Sequence, residues 1–226
     1  MHRIAGVAAS VHGRYELRTA IFTGAFVLLA WASRRGVTTG IDQAFATELR
    51  AIRIPGFDLI AAAVAWIGGP TPTLAIAAVL AAMLFRRRGS WAWIAPLFIL
   101  VVALVEFTVK QSFSRPPGAR EILRAIGGLF GDPVRTPGSF PSGHVARLAF
   151  LAGTSSAALP RVGTALLIIL TAITFFGRTY VGAHRLSDVV GGLLLGVAVS
   201  SAAQLWLARR PESRGRRPVM PAAQEG

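Results

Sequence analysis

Cysteine is absent from this 226-residue chain. That excludes disulfides, zinc knuckles, iron–sulfur clusters and cysteine catalysis. Charge is scarce as well: 15% of the residues are charged, where soluble domains carry roughly 25%. With 53% hydrophobic residues, the composition argues against disorder and against an ordinary soluble enzyme. Lysine occurs once, as Lys110, beside 23 Arg. So lopsided a ratio reflects coding bias, and Arg abundance alone proves little. The chain also lacks a P-loop and a dinucleotide-binding glycine pattern. It has no internal repeat, no low-complexity tract and no sign of a second domain.

What is present is a net charge of +14 spread over long apolar runs. The charge alone fits nucleic acid, anionic lipid or a phosphate substrate. The apolar runs decide for the membrane and against nucleic acid, because only helices satisfy their own backbone in hydrocarbon and about 20 residues cross it. Six spans are expected, around residues 19–33, 73–85, 91–111, 144–159, 162–176 and 189–208. Residues 57–67 are ambiguous. Eleven helical residues cover roughly 16 Å, too little for an apolar layer of about 30 Å. Gly68, Gly69, Pro70 and Pro72 then interrupt the pattern. The segment reads as an interfacial helix or as the kinked outer half of the second span.

Arginine placement orients the spans. With the amino terminus inside, 12 of the 24 basic residues fall in inner segments, so the raw count is a tie. The triplet Arg86, Arg87 and Arg88 in a very short loop is the stronger cue, since short loops govern orientation. Both termini are therefore expected in the cytoplasm. Ala30, Trp31 and Ala32 imitate a signal-peptidase site, but the 18 residues ahead of the apolar run are long for a leader n-region. Residues 209–226 are polar and Pro-rich and are expected to form a disordered, basic cytoplasmic tail.

This topology gathers the chemistry-capable groups in outer segments 112–140 and 177–188. His184 and Asp188, four residues apart at a helix start, share one face. The carboxylate can fix the imidazole tautomer and leave the other nitrogen as nucleophile or base. Alternatively, Ser187 or Asp188 simply caps the sixth span. His144 follows Pro141, Ser142 and Gly143. Ser142 suits an N-cap, and the amides of a helix start favour an anion. His144 there is either a proton donor or an interfacial histidine beside a cap. Arg178 binds phosphate as a planar fork or anchors a helix end; Lys110 and Arg115 carry the same two readings. Glu106, one turn before Lys110, fits a structural ion pair. Arg147 snorkels or borders the substrate. Two outer His and few acids make no metal signature, so no cofactor is expected. Metal-free chemistry on an anion remains, with phosphoryl transfer the best fit.

These segments resemble the type-2 phosphatidic acid phosphatase superfamily, which includes integral-membrane lipid phosphatases, soluble acid phosphatases and vanadium haloperoxidases. Its pattern is Lys, six residues, Arg-Pro; then Pro-Ser-Gly-His; then Ser-Arg, five residues, His, three residues, Asp. The second part stands unaltered at Pro141, Ser142, Gly143 and His144. The third stands as Arg178, His184 and Asp188 with full spacing, but Gly177 replaces the Ser. That change removes one phosphate hydrogen bond, worth about 1–3 kcal/mol if charge-assisted. The first part departs. Seven residues after Lys110 stands Pro117, and Arg115-Pro116 comes two residues early. Either Arg115 substitutes from a shifted position, or Arg120, Arg124 or Arg147 supplies the charge. The match covers residues 110–192 directly.

The resemblance implies an all-α, six-transmembrane helix bundle of the cytoplasmic membrane with an extracytoplasmic active site. Residues 1–208 would form one membrane-embedded phosphatase domain. It implies that His184 attacks phosphorus and forms a phosphohistidine, that Asp188 orients it, and that His144 protonates the leaving group and later activates water. Lys110, Arg115 and Arg178, with amides near Ser142 and Gly143, would hold the phosphoryl oxygens; Arg147 and Arg120 are further substrate contacts. The expected substrate is a lipid phosphate or diphosphate, of the polyprenyl diphosphate, phosphatidate or phosphatidylglycerophosphate type. An alcohol intercepting the phosphoenzyme would make the protein a transferase. Loss of chemistry on the same scaffold would leave a lipid-binding or transport protein. Residues 119–130 are expected to form an amphipathic helix at a lateral tail entrance.

Overall fold

The computed structural model describes residues 2–52, 56–89, 91–113 and 138–210. Regular structure among them is entirely helical: α1 (His2–Arg34), α2 (Thr39–Ala51), α3 (Phe57–Ile67), α4 (Pro70–Arg88), α5 (Ile94–Leu97), α6 (Ile99–Gln111), α7 (Gly143–Ser155), α8 (Arg161–Tyr180) and α9 (Leu186–Ala208). The helix boundaries follow local chemistry. Gly68 and Gly69 end α3, and Pro70 starts α4, where its missing N–H costs nothing. The two axes bend by 53°. α4 stops at Gly89, whose φ of 93° suits glycine. Arg86, Arg87 and Arg88 in its last turn complement the helix dipole.

The centre of the bundle is α7, which packs on α9, α8, α6 and α4. Twelve of its thirteen residues are buried. α9 lies between α7 and α1, and glycines set how close α7 comes. A side chain on Gly191 would stand 2.5 Å from the Phe140 ring. On Gly192 it would overlap the Ser142 carbonyl, and on Gly196 the Ala146 carbonyl. These small residues let two helix backbones touch, the packing mode helices use in lipid. Phe140 fills the joint, stacked on Phe26 at 5.8 Å and on Phe113 at 5.1 Å.

Among the described residues, three stretches are long and apolar enough to cross a membrane: Ile94–Gln111 (α5 with α6), Arg161–Tyr180 and Leu186–Ala208. The bent pair Leu59–Ile67 and Pro70–Arg88 makes a fourth if it counts as one span. That is fewer than the six expected. The apolar part of α1 is fifteen residues enclosed by Arg18 and Arg34, and α7 has only thirteen residues. The break at Gly68 accounts for residues 57–67: they form the other limb of the bent pair. Residues 30–32 lie within α1. The tail expected from 209 onward is described only as far as Arg210.

Contacts nonetheless run α1, α4, α5 with α6, α7, α8 and α9 between two common ends. At one end Arg87 Nη1 donates to the Ala158 carbonyl (2.5 Å), Arg209 pairs with Glu16 (2.5 Å), and Arg210 lies over Trp206 (4.1 Å) and Trp91 (5.0 Å). The other end holds the α3–α4 bend, the end of α6, the start of α7, the end of α8 and the start of α9. Outward-facing side chains between the ends are apolar, among them Val27, Leu28, Leu104, Leu166 and Ile169. Such a surface belongs in lipid, and the chain is an integral membrane protein.

Gly192→Ala should push α7 off α9 and destabilise the protein by about 1–3 kcal/mol. Gly24→Ala on α1, where a Cβ meets nothing within 4 Å, should leave the thermal midpoint in detergent unchanged or slightly raised, since alanine favours the helix. Equal midpoints for the two variants would refute the close-contact account.

Candidate active site

The joint between α7 and α9 brings two separate sequence motifs together. Ser142 N–H donates to the Asp188 carbonyl at 2.8 Å, tying the start of α7 to the start of α9. Ser142 stands at the N-cap position as expected, but its hydroxyl makes no capping bond. It is buried without a hydrogen-bond partner among the described residues. The first-turn amides of α7 have no intrahelical acceptor, and the Glu106 carboxylate lies against Gly143 there.

His184 lies in the short turn between α8 and α9. Its backbone N–H donates to the Arg178 carbonyl at 3.1 Å, which fixes the turn to the last turn of α8. Its Nδ1 faces Asp188 Oδ2 at 3.4 Å, the outer limit of a hydrogen bond. The same oxygen accepts the Arg185 N–H at 3.0 Å. Asp188 is fully buried. It thus caps α9 and faces His184 at once, and the two sequence readings are not exclusive. With Nδ1 protonated toward the carboxylate, Nε2 keeps its lone pair. Burial holds the His184 imidazole below its ordinary range; Asp188 pulls the other way and the Arg178 charge adds to the lowering. The ring is therefore neutral at neutral pH.

His144 is buried in the first turn of α7. The charges acting on it come from Arg178, Arg147, His184 and Lys110, and those acting on His184 include Arg178 and Lys110. Arg178 and Lys110 thus serve both rings. Lys110 Nζ donates to Glu106 Oε1 at 2.7 Å, and Arg147 Nη1 donates to Glu106 Oε2 at 2.6 Å. Arg147 also donates from Nε (3.3 Å) and Nη2 (3.2 Å) to the Gly68 carbonyl. Arg147 is therefore a clamp between α6, α7 and the α3–α4 bend. Arg115, Arg120 and Arg124 lie outside the described residues, as do residues 119–130.

Two contributors, Gly68 and Asp42, were not expected from the sequence, and a third, Glu106, only in part. Gly68 reads there only as a helix breaker; in the fold it sits over His144, and a Cβ would come 3.3 Å from that ring. Asp42 on α2 is buried and accepts Ser187 N–H and Oγ, each at 2.8 Å, and Thr38 Oγ1 at 3.0 Å. Its only local signal is an acid in a first helical turn. Glu106 was legible as a partner for Lys110, but not for Arg147, 41 residues away. Gly177, where the family pattern has Ser, meets α3: a Cβ would approach Ala61 Cβ to 3.2 Å.

Residues 91–212, 122 of the 226, match the model of the PAP2 superfamily. The chain belongs to the PAP2 superfamily. Two crystal structures share its fold. One is a transmembrane PAP2-type phosphatidylglycerolphosphate phosphatase from Bacillus subtilis, with TM-score 0.69 and 20% identity over 87% of this chain and 99% of that one. The other is Aquifex aeolicus LpxE, with TM-score 0.56 and 21% identity over 72% of this chain and 93% of that one. No curated protein matches the sequence. The family segment holds Lys110, His144, Arg178, His184 and Asp188, whereas Asp42 and Gly68 fall before it.

Asp42→Ala should leave Ser187 N–H buried and unpaired, a penalty of about 1–3 kcal/mol, and lower the thermal midpoint. Asp42→Asn keeps an acceptor oxygen and should recover part of the loss. Midpoints equal to that of the unaltered protein in both variants would show that Asp42 does not hold the start of α9.

Proposed function

We propose that this PAP2 protein is a metal-independent phosphatase of lipid phosphates or diphosphates, acting through a phosphohistidine on His184. The observation that carries the reading is the pairing of His184 with the buried Asp188, beside His144 and Arg178 at the α7–α9 joint. His184 Nε2 attacks phosphorus in line: an N–P bond forms, and the P–O bond to the leaving group breaks. His144 gives that oxygen its proton. Water, deprotonated by His144, then attacks the phosphohistidine, and the P–N bond breaks to release inorganic phosphate. Asp188 stabilises the charge on His184. Arg178, Lys110, Arg115, the Ser142 hydroxyl and the first-turn amides of α7 neutralise the phosphoryl oxygens, with Arg120 as a further contact. Positioning and charge neutralisation are most of what phosphoryl transfer needs.

A lipid-linked substrate suits a site at one end of an apolar bundle, reached by a head group from water and a tail from lipid. The name of one of the two similar structures, a phosphatidylglycerolphosphate phosphatase, points the same way. We place the site on the extracytoplasmic face of the cytoplasmic membrane, with residues 1–208 as one domain and the six helical passes α1, α4, α5–α6, α7, α8 and α9. The opposite end carries the arginines and the Trp91 and Trp206 rings, which suits a cytoplasmic interface.

Purified protein in detergent should release phosphate from a panel of polyprenyl diphosphate, phosphatidate and phosphatidylglycerophosphate with EDTA present, and vanadate should inhibit it. His184→Ala should abolish release; wild-type activity retained in that variant would refute the phosphohistidine. The acid limb of kcat/KM should fall below about pH 6.5, the ordinary imidazole value, because protonation removes the attacking lone pair and burial delays it to lower pH. An acid limb above that value would contradict a neutral, buried nucleophile.

A further inference from the structure

Glu106 is an expensive residue where it stands: an acid on a mostly apolar helix that packs against the buried core of the bundle. Its carboxylate touches three things. Oε1 accepts from Lys110 Nζ at 2.7 Å. Oε2 accepts from Arg147 Nη1 at 2.6 Å. The carboxylate also lies against Gly143, where a Cβ would overlap it. An ammonium, a guanidinium and the glycine-opened first turn of a helix are the parts of an oxyanion site. Here they enclose the chain's own anion.

The two halves of the bridge differ. Arg147 is anchored a second time by two bonds to the Gly68 carbonyl, so its contact with Glu106 is held from both sides. Lys110 has a long flexible stem, and among the described residues its ion-pair partner is Glu106. The Lys110 half is the one that can exchange. We infer that Glu106 is an internal competitor for the phosphoryl group: its Oε1 holds Lys110 and the start of α7 until a phosphate oxygen displaces it, so that Glu106 sets how tightly a phosphoryl oxyanion binds. The inference rests on the phosphatase reading for its substrate, but the anion site can be probed without turnover.

The test titrates orthovanadate into the full chain in detergent by calorimetry, comparing the unaltered protein with Glu106→Gln. The amide keeps the shape and removes the competing charge, so vanadate should bind at least about fivefold more tightly, the scale of one ion pair. Affinity that is unchanged or weaker overturns the inference, because a residue that merely positions Lys110 would weaken anion binding when altered. No vanadate binding to either protein also overturns it. If Glu106→Gln does not fold, Glu106→Asp, which draws the carboxylate back by one methylene, should bind vanadate more tightly than the unaltered protein, and an equal or lower affinity is again fatal. Phosphate release by the unaltered protein is measured in the same series: its absence sinks the phosphatase reading, whatever the vanadate affinities say of Glu106.

Discussion

The site depends on two helix backbones touching. Gly192 and Gly196 let α9 reach the Ser142 and Ala146 carbonyls of α7, and Ser142 N–H then bonds the Asp188 carbonyl. Every other placement follows from that contact. The turn carrying His184 is drawn over the first turn of α7, where His144 sits. Phe140 plugs the joint from one side. A larger residue on this face of α9 would separate the imidazoles before it disturbed any chemistry. Glycines that look like helix-weakening residues in sequence are here the condition for two motifs, some forty residues apart, to meet at one joint.

The charges around the joint are nearly balanced by design of the fold. Arg147 holds α6, α7 and the α3–α4 bend with three separate donors. Glu106 spans Arg147 and Lys110. Asp188 serves α9's first turn and His184. Asp42 does the same work for Ser187 from a helix outside the family segment. Buried charges survive only when paired and hydrogen-bonded. The network therefore stabilises the bundle and keeps its cations in place.

Much of this was readable in the chain. The His184–Asp188 pairing was, although His184 stands in the turn before α9 and not on its face, and the Pro141-to-His144 motif announced a helix start. The break at Gly68 and Gly69 was visible too. Less legible was anything carried by long-range packing. Asp42 is 145 residues from Ser187, and no local pattern links them. The count of membrane passes was harder for a related reason. α7 has thirteen residues, nearly all buried in protein, and falls short of the length at which a helix crosses the bilayer, which α8 and α9 reach.

The close approach of α3 to Gly177 changes how the third motif is to be understood. The missing hydroxyl is not an isolated loss on the phosphate side. A side chain at position 177 would press on the Ala61 methyl at 3.2 Å, so α3 would have to give by a few tenths of an ångström. A serine at this position would lean on α3, so the third motif and the seating of α3 are coupled through a single methyl group.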